Sequence, residues 1–182
     1  MAGAADSLLK RMIRAAKLDA KLYEEVEHDK EATGQALTVV ILSSLAPGLS
    51  ALASGGMLAL AFNTLAALLG WVAWAVLTYL IGSRLLPEPQ TKADLGEMLR
   101  TTAFSSTPGV ICILGLIPIP GLLPLSIFVA LIWIVLAMVM AVRQALDYKS
   151  TGRALVVCLI ALLIVFLFGW LTDPNPFVGT AV

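Results

Sequence analysis

Three long stretches of the chain, 32–83, 101–142 and 154–172, contain no charged side chain and are almost continuously apolar. They run for 52, 42 and 19 residues. A helix needs about 20 apolar residues, at about 1.5 Å rise each, to cross roughly 30 Å of hydrocarbon. The stretches therefore hold two, two and one spans. Ser54-Gly55-Gly56 divides the first, and Pro118-Ile119-Pro120-Gly121 divides the second. The expected spans lie near 36–53, 57–82, 101–117, 122–143 and 154–171. Helices are the solution in lipid, where backbone polar groups find no water, and the runs lack the alternation of a membrane strand.

Residues 6–28 differ, because their apolar positions recur at helical spacing. Leu8, Leu9, Met12, Ile13, Ala16, Ala20 and Tyr23 fall on one side of a helix. Lys10, Arg11, Arg14, Lys17 and Lys21 fall on the other. One long amphipathic helix is predicted. It either lies in a headgroup layer, its cations meeting anionic lipid, or packs its apolar side on the protein itself. The following run, 24–31, is mainly acidic and reads as a solvated helix end before the Thr33-Gly34 break; a metal site on its carboxylates and His28 is the sharper alternative.

The fold class is thus all-α, a polytopic membrane bundle of five spans behind an amphipathic helix. Residues 1–35 form the helix and connector, 36–172 the membrane domain and 173–182 a short tail outside the membrane. Composition agrees: 59% of residues are hydrophobic and 13% charged, against about 25% charged in soluble domains. Net charge is zero, but its distribution is one-sided. All 12 Lys and Arg lie in the N-terminal segment or in the loops 84–100 and 143–153, and the hairpins and tail carry none. By the positive-inside rule the N-terminus is cytoplasmic and the C-terminus extracytoplasmic.

Candidate chemistry inside the spans is sparse. Intramembrane ionisable groups mark proton relays and coupled transport, and none is present in the interior of a span. Asn63 and the hydroxyl-rich run Thr101, Thr102, Ser105, Ser106 and Thr107 before Pro108 remain. Pro108 cannot donate to the carbonyl of Phe104. The hydroxyls either satisfy that carbonyl or, with Asn63, line a polar cavity. Small residues at Ala137, Ala141 and Ala145 suit close helix contact, within one chain or between two. Trp71, Trp74 and Trp133 fall near mid-span, where packing is the expected use. Cys112 and Cys158 suggest neither a disulfide nor a metal site. No phosphate loop, nucleophilic triad or metal-ligand spacing occurs, so no catalytic, metal or cofactor residue is expected. Interleaved acids make nucleic acid a poor partner.

Three stretches share a wider pattern: Leu22-Tyr23-Glu24-Glu25-Val26-Glu27 with Ala32-Thr33-Gly34-Gln35-Ala36-Leu37; Leu99-Arg100-Thr101-Thr102-Ala103-Phe104 with Pro108-Gly109; and Trp133 with Ala141-Val142-Arg143-Gln144-Ala145-Leu146. In order and spacing the chain resembles the bacterial branch of the Yip (Ypt-interacting protein) domain family. That resemblance implies five spans, a cytoplasmic N-terminus and a bacterial cytoplasmic membrane. Eukaryotic members bind prenylated small GTPases, but the Asp-Leu-Tyr-Gly-Pro motif of many of them is absent here, so GTPase binding is not carried over. The expected function is a non-enzymatic membrane scaffold, assembly or organising factor. Its partners are anionic membrane lipids, a second copy or another membrane protein. A small oligomeric channel or transporter using Asn63 and Ser105-Ser106-Thr107-Pro108 is the alternative.

Overall fold

The computed structural model describes residues 7–172, without the side chains of 46–48, 50–55 and 169–172. The tail, Asp173 and the Trp170 side chain lie outside the described residues. Every regular element described is helical: α1 (Leu8–Ala16), α2 (Ala20–His28), α3 (Ala32–Leu80), a π turn (Ile81–Leu85), α4 (Leu95–Ser105), a 3-10 segment (Thr107–Leu116), α5 (Leu122–Ala145) and α6 (Thr151–Thr172).

Helix α3 joins the first two expected spans, 36–53 and 57–82, into one element of 49 residues. It is bent at Gly56, where φ is +65°. A side chain disfavours that backbone, so glycine sets the place where the two arms part. Gly121, at φ +82°, plays the same part at the start of α5.

Among the described residues three helices are long and apolar enough to cross a membrane: Gly56–Leu85, Leu122–Ala145 and Thr151–Phe168. A shorter apolar helix covers Ala32–Leu45. The three long helices turn large apolar side chains outward, among them Met57, Phe62 and Leu69, Leu125, Phe128 and Leu131, and Leu155, Leu159 and Leu163. A contiguous exposed apolar belt of this kind marks a lipid-facing surface.

Two expectations need correction. The third expected span, 101–117, is not one continuous helix: α4 stops at Ser105 and the chain continues as a 3-10 segment. The reason is Pro108, which supplies no N–H to continue the α pattern. The Thr107 hydroxyl donates instead to Phe104 O at 2.7 Å, and Ser105 and Ser106 donate to Thr102 O and Ala103 O.

The N-terminal helix also breaks. Leu18 adopts φ +59° and separates α1 from α2. Asp19 drives the break: its carboxylate caps α2 by accepting from the Lys21 backbone N–H and also accepts from Arg14 Nε at 2.8 Å. The turn lets both short helices bury apolar residues in one core, which a straight rod could not do. Met12, Ala15, Leu22, Tyr23 and Val26 join Val39, Val40, Phe104 and Ala141 there.

A second core fills the other side of the charged end, where Met98, Val142, Leu146, Tyr148 and Val157 meet. The Tyr148 hydroxyl lies within hydrogen-bond distance of Gly82 O and Leu86 O, at the carbonyls that the π turn leaves open. A Cβ on Gly82 would stand 2.2 Å from Leu146 Cδ1; the absence of one lets the turn close onto α5. Ala137, Ala141 and Ala145 are fully buried within this bundle, so the small-residue stripe packs the chain on itself.

Candidate functional site

The charged end is built by docking α1 and α2 on the bundle. Helix α2 leaves its last carbonyls without intrahelical donors. Arg100, from the middle of α4, fills that gap: its Nε donates to Val26 O at 2.9 Å and its Nη2 to Glu27 O. A cation at a helix C-terminus is favoured by the aligned peptide dipoles as well. Trp133 Nε1 donates to Ala16 O at 2.7 Å, and the Tyr23 hydroxyl to Ala15 O, so the end of α1 is closed in the same way. Gln144 reaches Ala20 O.

The five expected surface cations divide. Arg11 is 6% exposed; its Nη2 pairs with Asp29 Oδ2 at 2.6 Å and its Nη1 donates to Gln35. That guanidinium holds the Asp29 carboxyl below its ordinary range. Arg14 is half-buried and bridges Asp19 and Glu25, which raises its own pKa further. Lys10, Lys17 and Lys21 are exposed, as are Leu9 and Ile13 on the same helix as Lys10. The apolar residues of the predicted face are thus shared between the core and the outside.

One acid stands apart. Glu27 is 4% exposed, and among the described residues no cation pairs with its carboxyl. Burial, and then the carboxylates of Asp147 and Glu97, push it up to about 7. Because the folded value exceeds the ordinary 4.5, the folded state favours the protonated acid. The resulting stabilisation is complete below about pH 4.5 and is lost as pH rises through 7. We expect Glu27→Gln to be more stable than the parent at pH 8 by about 1–2 kcal/mol after solvent screening. Thermal unfolding in detergent at pH 5 and pH 8 reads this, and an equal pH dependence in both proteins would refute it.

The candidate polar-cavity residues do not come together. Asn63 is exposed and its amide donates to Ala59 O on its own helix. Ser105 and Thr107 are buried, with hydroxyls on local carbonyls. Ser106 alone of the five lines a cavity of about 460 Å³ between both arms of α3, the 3-10 segment and α5. Its wall is mostly apolar and includes Val40, Trp71, Cys112, Ile134 and Met138. Sequence reasoning missed this cavity and missed Arg100 and Trp133 as clamps. Unpaired basic or indole groups beside a charge-free run are the signal that could have found the clamps. Among the described residues no three His, Cys, Asp or Glu are placed to hold a metal.

The motif stretches of the sequence prove to be neighbours in space. Leu22–Glu27, Ala32 and Ala36, Arg100 to Phe104, Trp133, Ala141 and Gln144 all meet where α1 and α2 dock. No curated protein and no solved structure matches the chain. The family model for the Yip1 domain matches residues 20–171, from the first residue of α2 into the last turn of α6. A match over that span shows that the chain belongs to the Yip1 domain family.

Proposed function

We propose that the protein is a non-enzymatic scaffold of the bacterial cytoplasmic membrane, assembling or organising its surroundings through its charged face and outward helix faces. The observation that carries this reading is the dock itself. The ionisable side chains Arg11, Arg14 and Arg100 bind backbone carbonyls, an amide and carboxylates of the chain, so they hold a surface in place and face no reacting centre.

In this reading the two arms of α3, the α4–3-10 pair, α5 and α6 make five passages. The side bearing every Lys and Arg is cytoplasmic. Lys10, Lys17 and Lys21 face anionic headgroups, and Leu9 and Ile13 reach the hydrocarbon edge below them. Arg11 and Arg14 brace that face from within. The protein partner is a second copy or another membrane protein, met through surfaces other than the Ala137–Ala141–Ala145 stripe, which is already covered.

The full chain, cross-linked in its own membrane and purified in mild detergent, tests this. Expected is a stoichiometric assembly whose yield falls at least fivefold when Lys10, Lys17 and Lys21 become Glu, with thermal unfolding unchanged. A lone chain that instead conducts solute in proteoliposomes would overturn the scaffold.

A further inference from the structure

The cavity between α3 and α5 has two properties that simple packing does not require. Its rim reaches the lipid-facing belt: Gly70 on α3 and Ile127 and Leu131 on α5 both line it and are exposed. It therefore opens sideways, toward hydrocarbon. Its wall also contains two buried polar atoms with no partner, Trp74 Nε1 and Ser43 Oγ. The neighbouring groups of the same types are all satisfied. Trp71 and Trp133 donate to carbonyls, and the hydroxyls of Ser44 and Ser106 do likewise. Hydrocarbon offers no acceptor to an indole N–H, and such groups are strongly disfavoured there when unpaired.

We propose that this cavity binds one acyl chain of a membrane glycerolipid, with the ester carbonyl at its root accepting from Trp74 or Ser43. The chemistry of the wall fits that ligand. The bulk of the surface is apolar, no charged side chain lines it, and the two donors without a partner, Ser43 and Trp74, both come from α3. A charged headgroup stays outside and only the neutral chain and its ester enter. The space of about 460 Å³ lies within the range of small-ligand cavities, about 300–1,000 Å³, and is large enough for a length of acyl chain. Gly70 stands at the rim, where a Cβ would meet nothing within 4 Å. A larger side chain at this position can thus occupy the space without displacing a neighbour. The inference does not depend on the scaffold reading; a lipid could seat here whatever the charged face contacts.

Native mass spectrometry of the full chain, stripped of lipid in detergent and then exposed to dioleoyl phosphatidylcholine vesicles, tests the proposal. The parent should retain one lipid per chain. Gly70→Leu should lose that lipid at least tenfold while unfolding at the same temperature. Trp74→Phe, which removes the donor and keeps a ring, should lower retention severalfold. The ligand provides an arm that needs no variant: the diether analogue of the same lipid, lacking the ester carbonyl, should be held severalfold less well. No retained lipid in the parent, or equal retention in Gly70→Leu, would overturn the site. Equal retention of ester and diether lipids would overturn the hydrogen bond to the carbonyl.

Discussion

Replacing Arg100 with alanine is expected to lower the unfolding free energy by about 3 kcal/mol. Two charge-assisted hydrogen bonds to Val26 O and Glu27 O disappear. Each such bond contributes about 1.5–3 kcal/mol, and the carbonyls left behind are enclosed by the dock. Relief of the guanidinium's own desolvation offsets part of the loss, which is why the sum falls short of two full bonds. Arg100→Lys should recover less than half, because one ammonium cannot span two carbonyls as a planar fork does. Thermal unfolding in detergent measures the change, and faster tryptic cleavage at Lys21 and Lys30 reports release of α2. A variant as stable and as protease-resistant as the parent would show that the clamp is dispensable.

Phe104→Ala should cost more, about 4 kcal/mol. The ring is fully buried where α1, α2, α3 and α5 converge on α4. Its loss combines transfer of a large apolar group with a cavity that surrounding helices cannot fill. Phe128 provides the contrast on the same protein. It is 61% exposed in the outward belt of α5, so Phe128→Ala should shift stability by less than about 0.5 kcal/mol. Comparable losses at the two positions would mean that the core does not lie where α1 and α2 dock. Arg100 and Phe104 serve the same interface one helical turn apart, and their combined effect should be less than the sum.

The membrane character of the chain was legible because charge avoidance over a long run has a single physical cause, the cost of a charge in hydrocarbon. The divisions at Gly56 and Gly121 were legible for a similar reason, since a chain that must reverse needs residues free of Cβ. What escaped was every feature decided by contacts between distant segments. Leu18 falls among the cations of the predicted helix, off its apolar arc, and nothing local marks a break there; the two contacts of Asp19, to Arg14 and to the start of α2, make it a corner. Leu9 and Ile13 share the predicted apolar arc with Met12, and the docking angle of α1 alone sends them outward while Met12 is buried. Pro108 announced a disturbance, but not that the α pattern would give way to a 3-10 segment of 10 residues. The clamps were hidden because Arg100 reads as an ordinary loop cation and Trp133 as a core ring until their acceptors, 74 and 117 residues away, are known.

The place where the family match begins separates two parts of the dock. Helix α2 lies inside the matched region and α1 precedes it. With nine residues α1 is too short to hold its own helical form in water. Its order comes from Trp133, Tyr23 and the Arg11 ion pair. Its amides should exchange with solvent sooner than those of the membrane helices, as expected of a segment whose order depends on a few contacts made outside it. Its release while the membrane helices stay folded would uncover the apolar floor beneath Met12 and Ala15.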